Sequence, residues 1–273
     1  MTKHKLIIGD CQTMTEIPSE SIHLMVTSPP YFNAPFDYEN LYSGYEEYLK
    51  VIENFAKETY RVLLKGRIAV LNIDDMLVKG EKFPIVADAT QIFVKAGFKY
   101  RDRIIWKKPD GYLRISRRSG VLLQNPYPMY YYPDNLLESI IIFQKGNFDY
   151  KIISKKIKEE SQVDKKEFQD KKWYMTLWEM TNVLPNSILE KDIAAFPEEL
   201  PKRIIKLFSY KGETVLDPFT GSGTTMKVAR ELGRNSIGIE IKEDLIKIIE
   251  QKVGFNGQTS FINQEDIFQI IMR

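Results

Sequence analysis

Residues 27–31, with the sequence Thr-Ser-Pro-Pro-Tyr, are the part of the chain whose residue types point most directly to chemistry. They end an apolar run, residues 22–26, that is typical of a buried strand. Two consecutive prolines remove two backbone donors and fix φ, so the chain leaves the strand in a rigid extended turn. This turn presents a hydroxyl, two carbonyl oxygens and an aromatic ring, which together can hold a flat heterocycle that carries an amino group. The alternative interpretation is a proline-rich strand exit with a packed tyrosine.

A second segment, residues 215–225, predicts a short buried strand, a glycine turn and the start of a helix. Gly221 and Gly223 allow positive φ or a close approach of the backbone to a ligand. We expect either Thr224 or Thr225 to cap the helix. Such a turn is typical of the first connection from strand to helix in a doubly wound α/β sheet, where nucleotide-like ligands bind.

Two acidic residues indicate which ligand this turn binds. The dinucleotide fingerprint would need a glycine at the position of Met226, so the turn is not of that kind. Asp217 ends the strand before the turn and suits the cationic amino group of a methionine moiety, whereas it would repel a pyrophosphate. Glu240 ends the next strand and is placed to accept from a ribose diol. The pair favours S-adenosylmethionine over NAD; the alternative is a cap for Asp217 and a surface position for Glu240.

These two motifs, in this order, resemble those of the β-class amino-group DNA methyltransferases, in which the catalytic motif precedes the cofactor motif. Residues 27–31 resemble the catalytic loop of that family, and residues 217–225 resemble its cofactor loop. The similarity runs along almost the whole chain. It includes residues 6–11 (the acidic N-terminal cofactor motif), 66–73, 98–107 and 196–201.

The resemblance implies roles for individual residues. Its catalytic residues are Ser28, Pro29, Pro30 and Tyr31. Its cofactor-binding residues are Asp10, Phe196, Asp217, Phe219, Gly221, Ser222, Gly223, Thr224 and Glu240. Asp10 is the favoured acid on the adenine side of the cofactor, and Asp266 is the alternative, because residues 261–267 also show a strand pattern with acids. Only one of these strands can lie beside the strand of Glu240.

The resemblance also implies a reaction, which is methyl transfer from S-adenosylmethionine to the exocyclic amino group of a base flipped out of double-stranded DNA. The Ser28 hydroxyl and the Pro29 carbonyl are expected to accept hydrogen bonds from that amino group, and Tyr31 to stack on the base. Family members with serine at this position mostly modify cytosine N4, so the resemblance favours that base, and adenine N6 is the alternative. An RNA or protein amino methyltransferase is a less favoured alternative.

Basic residues are concentrated between residues 99 and 118, and aromatic residues follow at 127–132. A basic stretch interleaved with aromatics can follow phosphates and stack on bases. Arg114, Arg117 and Arg118 are the favoured DNA-binding residues. By analogy with the family, residues 108–180 form the target-recognition insertion, residues 1–107 the catalytic part of the methyltransferase domain, and residues 181–273 its cofactor-binding part. The alternative for the lysine-rich residues 151–172 is a solvated linker.

Composition predicts a soluble globular enzyme, since 43% of the 273 residues are hydrophobic and 28% are charged. The longest apolar run is far too short for a membrane span, and no signal peptide is expected. A single cysteine, Cys11, fits the cytoplasm, and it does not follow a proline as the nucleophile of cytosine carbon-5 enzymes does. We expect no metal site. The family setting is a restriction–modification system, which admits a homodimer and a cognate restriction endonuclease as partners.

The elements that must position these residues alternate between strand and helix. Strands are predicted at residues 5–8, 22–27, 67–72, 100–106, 139–144, 214–217 and 236–240, and helices at 45–64, 84–96, 198–208 and 242–253. This alternation predicts a three-layer α/β fold. With the resemblance, the expected fold class is a Rossmann-like methyltransferase fold with a mainly parallel, seven-stranded sheet and a circularly permuted order of motifs.

Overall fold

The computed structural model describes residues 1–34, 40–109, 117–131, 133, 135–181, 196–255 and 266–273, with the backbone alone for residues 117–120. The strands in these ranges are β1 Lys3–Ile8, β2 Ile22–Thr27, β3 Leu63–Ile73, β4 Met76–Val78, β5 Glu81–Phe83, β6 Lys99–Lys107, β7 Leu137–Gln144, β8 Leu177–Glu179, β9 Thr214–Asp217, β10 Asn235–Glu240 and β11 Ile267–Met272. The α-helices are α1 Tyr45–Val62, α2 Ile85–Lys95, α3 Arg117–Gln124, α4 Lys155–Glu160, α5 Lys165–Asp170, α6 Glu199–Phe208, α7 Thr224–Glu231 and α8 Ile246–Val253.

One large sheet has the strand order β11-β1-β10-β9-β2-β3-β7-β6-β8, and β4 and β5 form a separate hairpin. All neighbouring pairs are parallel except the two that involve β7, so the prediction of a mainly parallel sheet is confirmed. The seven predicted strands are all present. The predicted number of strands is wrong, because β11 and β8 extend the sheet at its two edges. β8 has only three residues and therefore gives a weak pattern. β11 is largely apolar, but it lies beside β1 and not beside the strand of Glu240, an arrangement that the sequence did not indicate.

Helices cover both faces of the sheet because strand residues alternate between the faces. On one face, α1 and α2 pack with their apolar sides against alternate residues of the central strands; members of this cluster are Ile52, Phe55, Ala89, Phe93, Met25, Leu71 and Ile141. On the other face, α6 and α7 pack against the intervening residues, including Ile204, Ile205, Val228, Val26, Val70, Ile140 and Trp106. The expected three-layer arrangement is confirmed.

The predicted helices are present with small changes at their ends. Helix α1 ends at Val62 rather than at residue 64, because the chain passes directly into β3. The last predicted helix is divided into a 3₁₀ turn, Glu243–Leu245, and α8. None of the described helices combines the length and the apolar character that a membrane crossing requires.

Residues 108–180, expected as an insertion, are not separate from the sheet. They contribute β7, which lies between β3 and β6, and the edge strand β8. Only the segments outside these two strands are available for a role apart from the fold. One of them, residues 108–136, leaves the end of β6 and returns at the start of β7.

Candidate active site

The candidate site lies where the parallel strands end on one edge of the sheet. Strands β2 and β9 are neighbours, with Leu24 beside Val215 and Met25 beside Leu216. The chain continues from β9 to β10 on one side and from β2 to β3 on the other. The connections therefore diverge between β9 and β2, and a crevice at such a switch point is the usual ligand site of this sheet type.

Asp217, the last residue of β9, joins the two predicted motifs. Its Oδ1 accepts hydrogen bonds from the Thr27 hydroxyl at 2.6 Å and from the Phe219 N–H at 3.2 Å. The side chain is buried, with 2% exposed. Burial raises the pKa of Asp217 to about 7, although the hydrogen-bond donors act in the opposite direction. The carboxyl group is thus held in the sheet edge by neutral donors, next to the strand that carries the catalytic motif.

Glu240, the last residue of β10, holds the glycine loop in place. Its Oε2 accepts from the Gly221 N–H at 2.9 Å, and its Oε1 accepts from the N–H groups of Ile241 and Lys242 at 3.0 Å each. Burial raises the pKa of Glu240, while these backbone donors lower it. The residue predicted to contact a ribose therefore also fixes the backbone of the loop that follows Asp217.

The glycine loop has the left-handed backbone that the sequence predicts, with φ of 53° at Gly221 and 88° at Gly223. The prediction of a threonine cap is wrong. Gly223 is the N-cap of α7, and Thr224 and Thr225 are its first helical residues, both buried. A left-handed residue at the cap turns the chain into the helix without a side-chain bond, and glycine adopts that backbone at little cost.

Gly238, in the middle of β10, was missed by sequence reasoning. A Cβ at this position would lie 2.5 Å from Met226 Sδ and 2.5 Å from Thr220 Oγ1. The absence of a side chain lets the loop lie against the strand. Beneath the loop, the buried Ser222 hydroxyl accepts from Lys252 Nζ at 2.8 Å.

The two candidate acids for the adenine side lie at opposite ends of two adjacent parallel strands, β1 and β11. Asp10 follows β1, which pairs with β10 so that Ile8 lies beside Glu240. Its exposed carboxylate accepts from the Gln12 N–H at 2.9 Å and from Gln12 Nε2 at 2.8 Å. Asp266 instead precedes β11, where it accepts from Arg230 Nε at 3.0 Å. Only Asp10 lies at the same edge as the glycine loop, beside the strand of Glu240.

Two of the predicted cofactor residues are aromatic. Phe219 is half-buried and meets the Phe55 ring edge-on, with 5.2 Å between ring centroids. Phe196 is half-buried against the apolar cluster on the other face of the sheet. Both predicted cofactor residues are therefore partly exposed, and each packs against a core cluster on a different face of the sheet.

The catalytic motif leaves β2 directly beside Asp217. Pro29 is buried, and Ser28, Pro30 and Tyr31 are half-buried. The Tyr31 hydroxyl donates to Glu138 Oε2 at 3.0 Å. Burial, together with the negative charges of Glu138 and Asp74, raises the pKa of Tyr31 well above its usual value, so its hydroxyl keeps its proton.

Two residues near this motif were missed by sequence reasoning, Asn72 at the end of β3 and Glu138 at the start of β7. Asn72 Nδ2 donates to Glu138 Oε2 at 2.7 Å and lies 3.5 Å from the Ser28 hydroxyl. Both are polar residues at the end of an otherwise apolar strand face, and this is the signal that could have found them. Cys11 is buried in the core, and burial raises the pKa of its thiol, which agrees with its exclusion as a nucleophile.

The predicted DNA-binding arginines are only partly within the described residues. Arg114 lies outside them, and Arg117 and Arg118 begin α3, where only the backbone is described. The aromatic stretch that follows is exposed; Met129 has 92% of its surface exposed, and Tyr127, Tyr130 and Tyr131 are also exposed. Tyr132 lies outside the described residues.

The sequence pattern of a family of DNA methylases, N6_N4_Mtase, matches residues 22–251. The chain belongs to the N6/N4 DNA methylase family. The methylase is 37% identical over 285 aligned positions to the Type II methyltransferase M.MjaI of Methanocaldococcus jannaschii, an alignment that covers 93% of this chain and 92% of that protein. It is 31% identical to the Type II methyltransferase M.MthZI of Methanothermobacter thermautotrophicus, over 92% of this chain and 77% of that one.

Two solved structures share the fold of this chain. The Thermus thermophilus protein TTHA0409, solved in complex with S-adenosyl-L-methionine, matches the methylase with a TM-score of 0.76 and 25% identity, over 98% of each chain. The PvuII DNA methyltransferase, named as cytosine-N4-specific, matches with a TM-score of 0.67 and 20% identity, over 95% of this chain and 89% of that chain. The predicted family and the predicted fold class, a Rossmann-like methyltransferase fold, are confirmed.

Proposed function

We propose that this methylase transfers a methyl group from S-adenosylmethionine to the exocyclic amino group of a base flipped out of duplex DNA, with cytosine N4 as the favoured target. The observation that carries the proposal is the 2.6 Å hydrogen bond between Thr27 of the catalytic strand and Asp217 of the cofactor strand. It joins the segment suited to an amino-bearing base to the segment suited to the methyl donor.

The residues at the sheet edge fit S-adenosylmethionine. Asp217 is a buried acid whose bound donors are neutral, so a cationic amino group would compensate its charge. Glu240 ends β10 and the exposed Asp10 follows the neighbouring β1, where acceptors for ribose and adenine groups are needed. When bound, the cofactor supplies a methyl group that its sulfonium has already activated.

The catalytic segment then acts on the base. The amino nitrogen is a poor nucleophile because its lone pair is delocalised into the ring. The Ser28 hydroxyl and the Pro29 carbonyl accept hydrogen bonds from its two N–H groups. These hydrogen bonds move the nitrogen toward tetrahedral geometry and localise the lone pair. The nitrogen forms its bond to the methyl carbon as the carbon–sulfur bond breaks, and the resulting cationic amine then loses a proton. Positioning supplies most of the rate.

The choice of base rests on Ser28, since serine at this position favours cytosine N4 by the family resemblance. Adenine N6 is the alternative, because a serine hydroxyl can accept a hydrogen bond from either amine. The exposed aromatic residues at 127–131, together with the arginines at the start of α3, support a DNA-binding surface in residues 108–136.

A restriction–modification system is the proposed setting, with a cognate endonuclease that recognises the same sequence. Support comes from M.MjaI and M.MthZI, both of which are named Type II methyltransferases. A homodimer is a further proposal that the oligomeric state in solution tests directly.

The test is to incubate unmodified genomic DNA with the protein and S-adenosylmethionine carrying a labelled methyl group, and to analyse the nucleosides by mass spectrometry. Label in N4-methylcytosine is the expected result. Label in N6-methyladenine would replace the favoured base and keep the rest of the proposal. Absence of label in DNA, with cofactor binding intact, would overturn the proposal and direct the search to RNA or protein substrates.

A further inference from the structure

Four polar side chains form a row across adjacent strands at the site edge. Strand pairing places Thr27 beside Leu71, Asn72 beside Ile140, and Trp106 beside Glu138. Alternation along each strand then places Ser28, Asn72, Glu138 and Lys108 on one face of the sheet. They follow an apolar layer on the same face that contains Val26, Val70, Ile140 and Trp106. The row thus lies directly above the core.

Glu138 is the centre of this row. Its Oε2 accepts from the Tyr31 hydroxyl at 3.0 Å and from Asn72 Nδ2 at 2.7 Å. Its Oε1 lies 2.6 Å from Lys108 Nζ, and the Glu138 side chain is 11% exposed. The ammonium group lies 5.4 Å from the centroid of the Trp106 ring, which helps to fix it. One carboxylate therefore joins strands β3, β6 and β7 to the catalytic loop.

We propose that Glu138 is a positioning residue for methyl transfer: it fixes the Tyr31 ring and the Asn72 amide before the target base enters. This inference rests on the proposed function. A tyrosine anchored only at its Cβ can rotate about two side-chain torsions. A hydrogen bond at the hydroxyl holds the far end of the ring axis, and it also disfavours rotation of the ring about that axis because a phenolic O–H prefers to lie in the ring plane. Charge-assisted bonds are strong enough for this purpose, and a pre-ordered site loses less entropy when the base binds.

The state of Asn72 indicates that the row serves a ligand as well as the fold. A carboxylate can only accept hydrogen bonds, so the amide nitrogen of Asn72 must be the atom that faces Glu138. The amide oxygen is then buried, and it has no hydrogen-bond partner among the described residues. A buried acceptor without a partner is costly in a structural network and is expected where a bound molecule supplies the donor.

The experiment compares Glu138→Ala, Tyr31→Phe and the double variant in single-turnover methyl transfer to DNA at saturating labelled S-adenosylmethionine. We expect Glu138→Ala to slow transfer by about 100-fold and Tyr31→Phe by about 10-fold, because misplacement by about 1 Å has effects of this size. The double variant is expected to be no slower than Glu138→Ala, since the hydroxyl has no carboxylate left to bind. The Kd for S-adenosylmethionine, measured by calorimetry, stays within about 2-fold of the wild-type value.

Two further variants separate positioning from folding. Glu138→Gln keeps an acceptor for Tyr31 and is expected to recover part of the rate. Glu179→Gln, at an exposed glutamate that pairs with Lys107 on the neighbouring strand, is the matched control and is expected to leave the rate unchanged. If Glu138→Ala does not fold, Glu138→Gln is combined with Tyr31→Phe in the same cycle.

The inference is overturned if Glu138→Ala transfers methyl groups at the wild-type rate, or if the effects of Glu138→Ala and Tyr31→Phe multiply in the double variant. It is also overturned if the rate and cofactor binding fall together. A wild-type protein that transfers no methyl group to DNA contradicts the proposed function itself, and this outcome is seen before any variant is compared.

Discussion

At the scale of single residues, the cofactor side of the site is governed by acids whose hydrogen-bond donors are uncharged, whereas Glu138 on the catalytic side also pairs with Lys108. Asp217 is the clearest case, because it is buried and its donors are the Thr27 hydroxyl and the Phe219 N–H. Its pKa of about 7 places its titration within the range in which the protein is handled. The charge of this residue therefore depends on pH and on the ligand.

The first prediction concerns cofactor affinity. Since a cationic amino group binds the ionised form of Asp217, the affinity for S-adenosylmethionine rises with pH up to about 7 and levels off above it, by up to about tenfold per unit below the pKa. Titration calorimetry between pH 5.5 and 8.5 measures this, and proton release appears as a dependence on the buffer. Asp217→Asn is expected to bind weakly with a flat profile; if it binds as tightly as the wild type, the assignment of the glycine loop is wrong.

The second prediction concerns stability without cofactor. The pKa of Asp217 is raised in the folded protein, so the folded state binds a proton that the unfolded state has released. The free energy of unfolding therefore falls as pH rises from about 4 to about 7, on the order of 3 kcal/mol for this group. Urea unfolding of wild type and Asp217→Asn at several pH values measures the contribution of Asp217 to the pH dependence of the free energy of unfolding. An equal pH dependence in both proteins would contradict it.

At the scale of elements, the fold depends on how closely the glycine loop approaches β10. We predict that Gly238→Ala lowers the free energy of unfolding by about 1–3 kcal/mol, because the new Cβ would lie 2.5 Å from Thr220 Oγ1. Thr220 donates to the Asp217 carbonyl at 2.9 Å, so its displacement also disturbs the loop and weakens cofactor binding. Thermal unfolding and calorimetry measure the two effects.

Gly44→Ser is the control for this variant. Gly44 is the N-cap of α1 and has an extended backbone, and a Cβ added there would meet no heavy atom within 4 Å beyond its chain neighbours. Serine is a good N-cap, so this variant is expected to keep or increase stability. Equal losses in the two variants would show that a general loss of glycine, and not the contact with Thr220, is responsible.

Sequence reasoning reached most of the elements and the two main motifs, and the reasons for its failures are physical. Strands β2 and β9 have buried apolar residues directly before chemically distinctive ones, so pattern and motif agree. Edge strand β8 has three residues and gives little pattern, and β11, although largely apolar, joins the sheet through its pairing with β1. Asn72 and Glu138 meet Ser28 only through strand pairing between segments far apart in the chain, which the sequence does not display.

At the scale of the whole molecule, the two edges of the sheet have different electrostatics. The edge away from the site contains ion pairs that are closed within the fold. Arg67 at the amino end of β3 pairs with Glu213, with a second contact of 3.1 Å between Arg67 Nη1 and Glu213 Oε2, and both side chains are buried. Arg230 pairs with Asp266 at this edge in the same way. Charges there stabilise, whereas Asp217 and Glu240 at the opposite ends of the strands accept from uncharged donors and are available to a ligand.

We therefore predict that Glu213→Gln lowers the free energy of unfolding by about 3 kcal/mol, because it leaves the buried Arg67 guanidinium without its counter-charge. Cofactor affinity of the folded protein is expected to remain unchanged. Urea unfolding and calorimetry test the two statements. Glu53→Gln on the surface of α1, where the ion pairs are exposed, serves as the control and should change stability by less than about 1 kcal/mol.

Because β7 runs against its neighbours, the chain leaves the sheet after β6 and re-enters it at an adjacent position, where the Lys108 N–H donates to the Leu136 carbonyl at 2.9 Å. The segment between these two residues starts and ends at neighbouring positions of the sheet, so its length can change without a change in the sheet. Under the proposed function, a lineage can exchange this segment for another and acquire a new target sequence while the catalytic and cofactor loops stay the same.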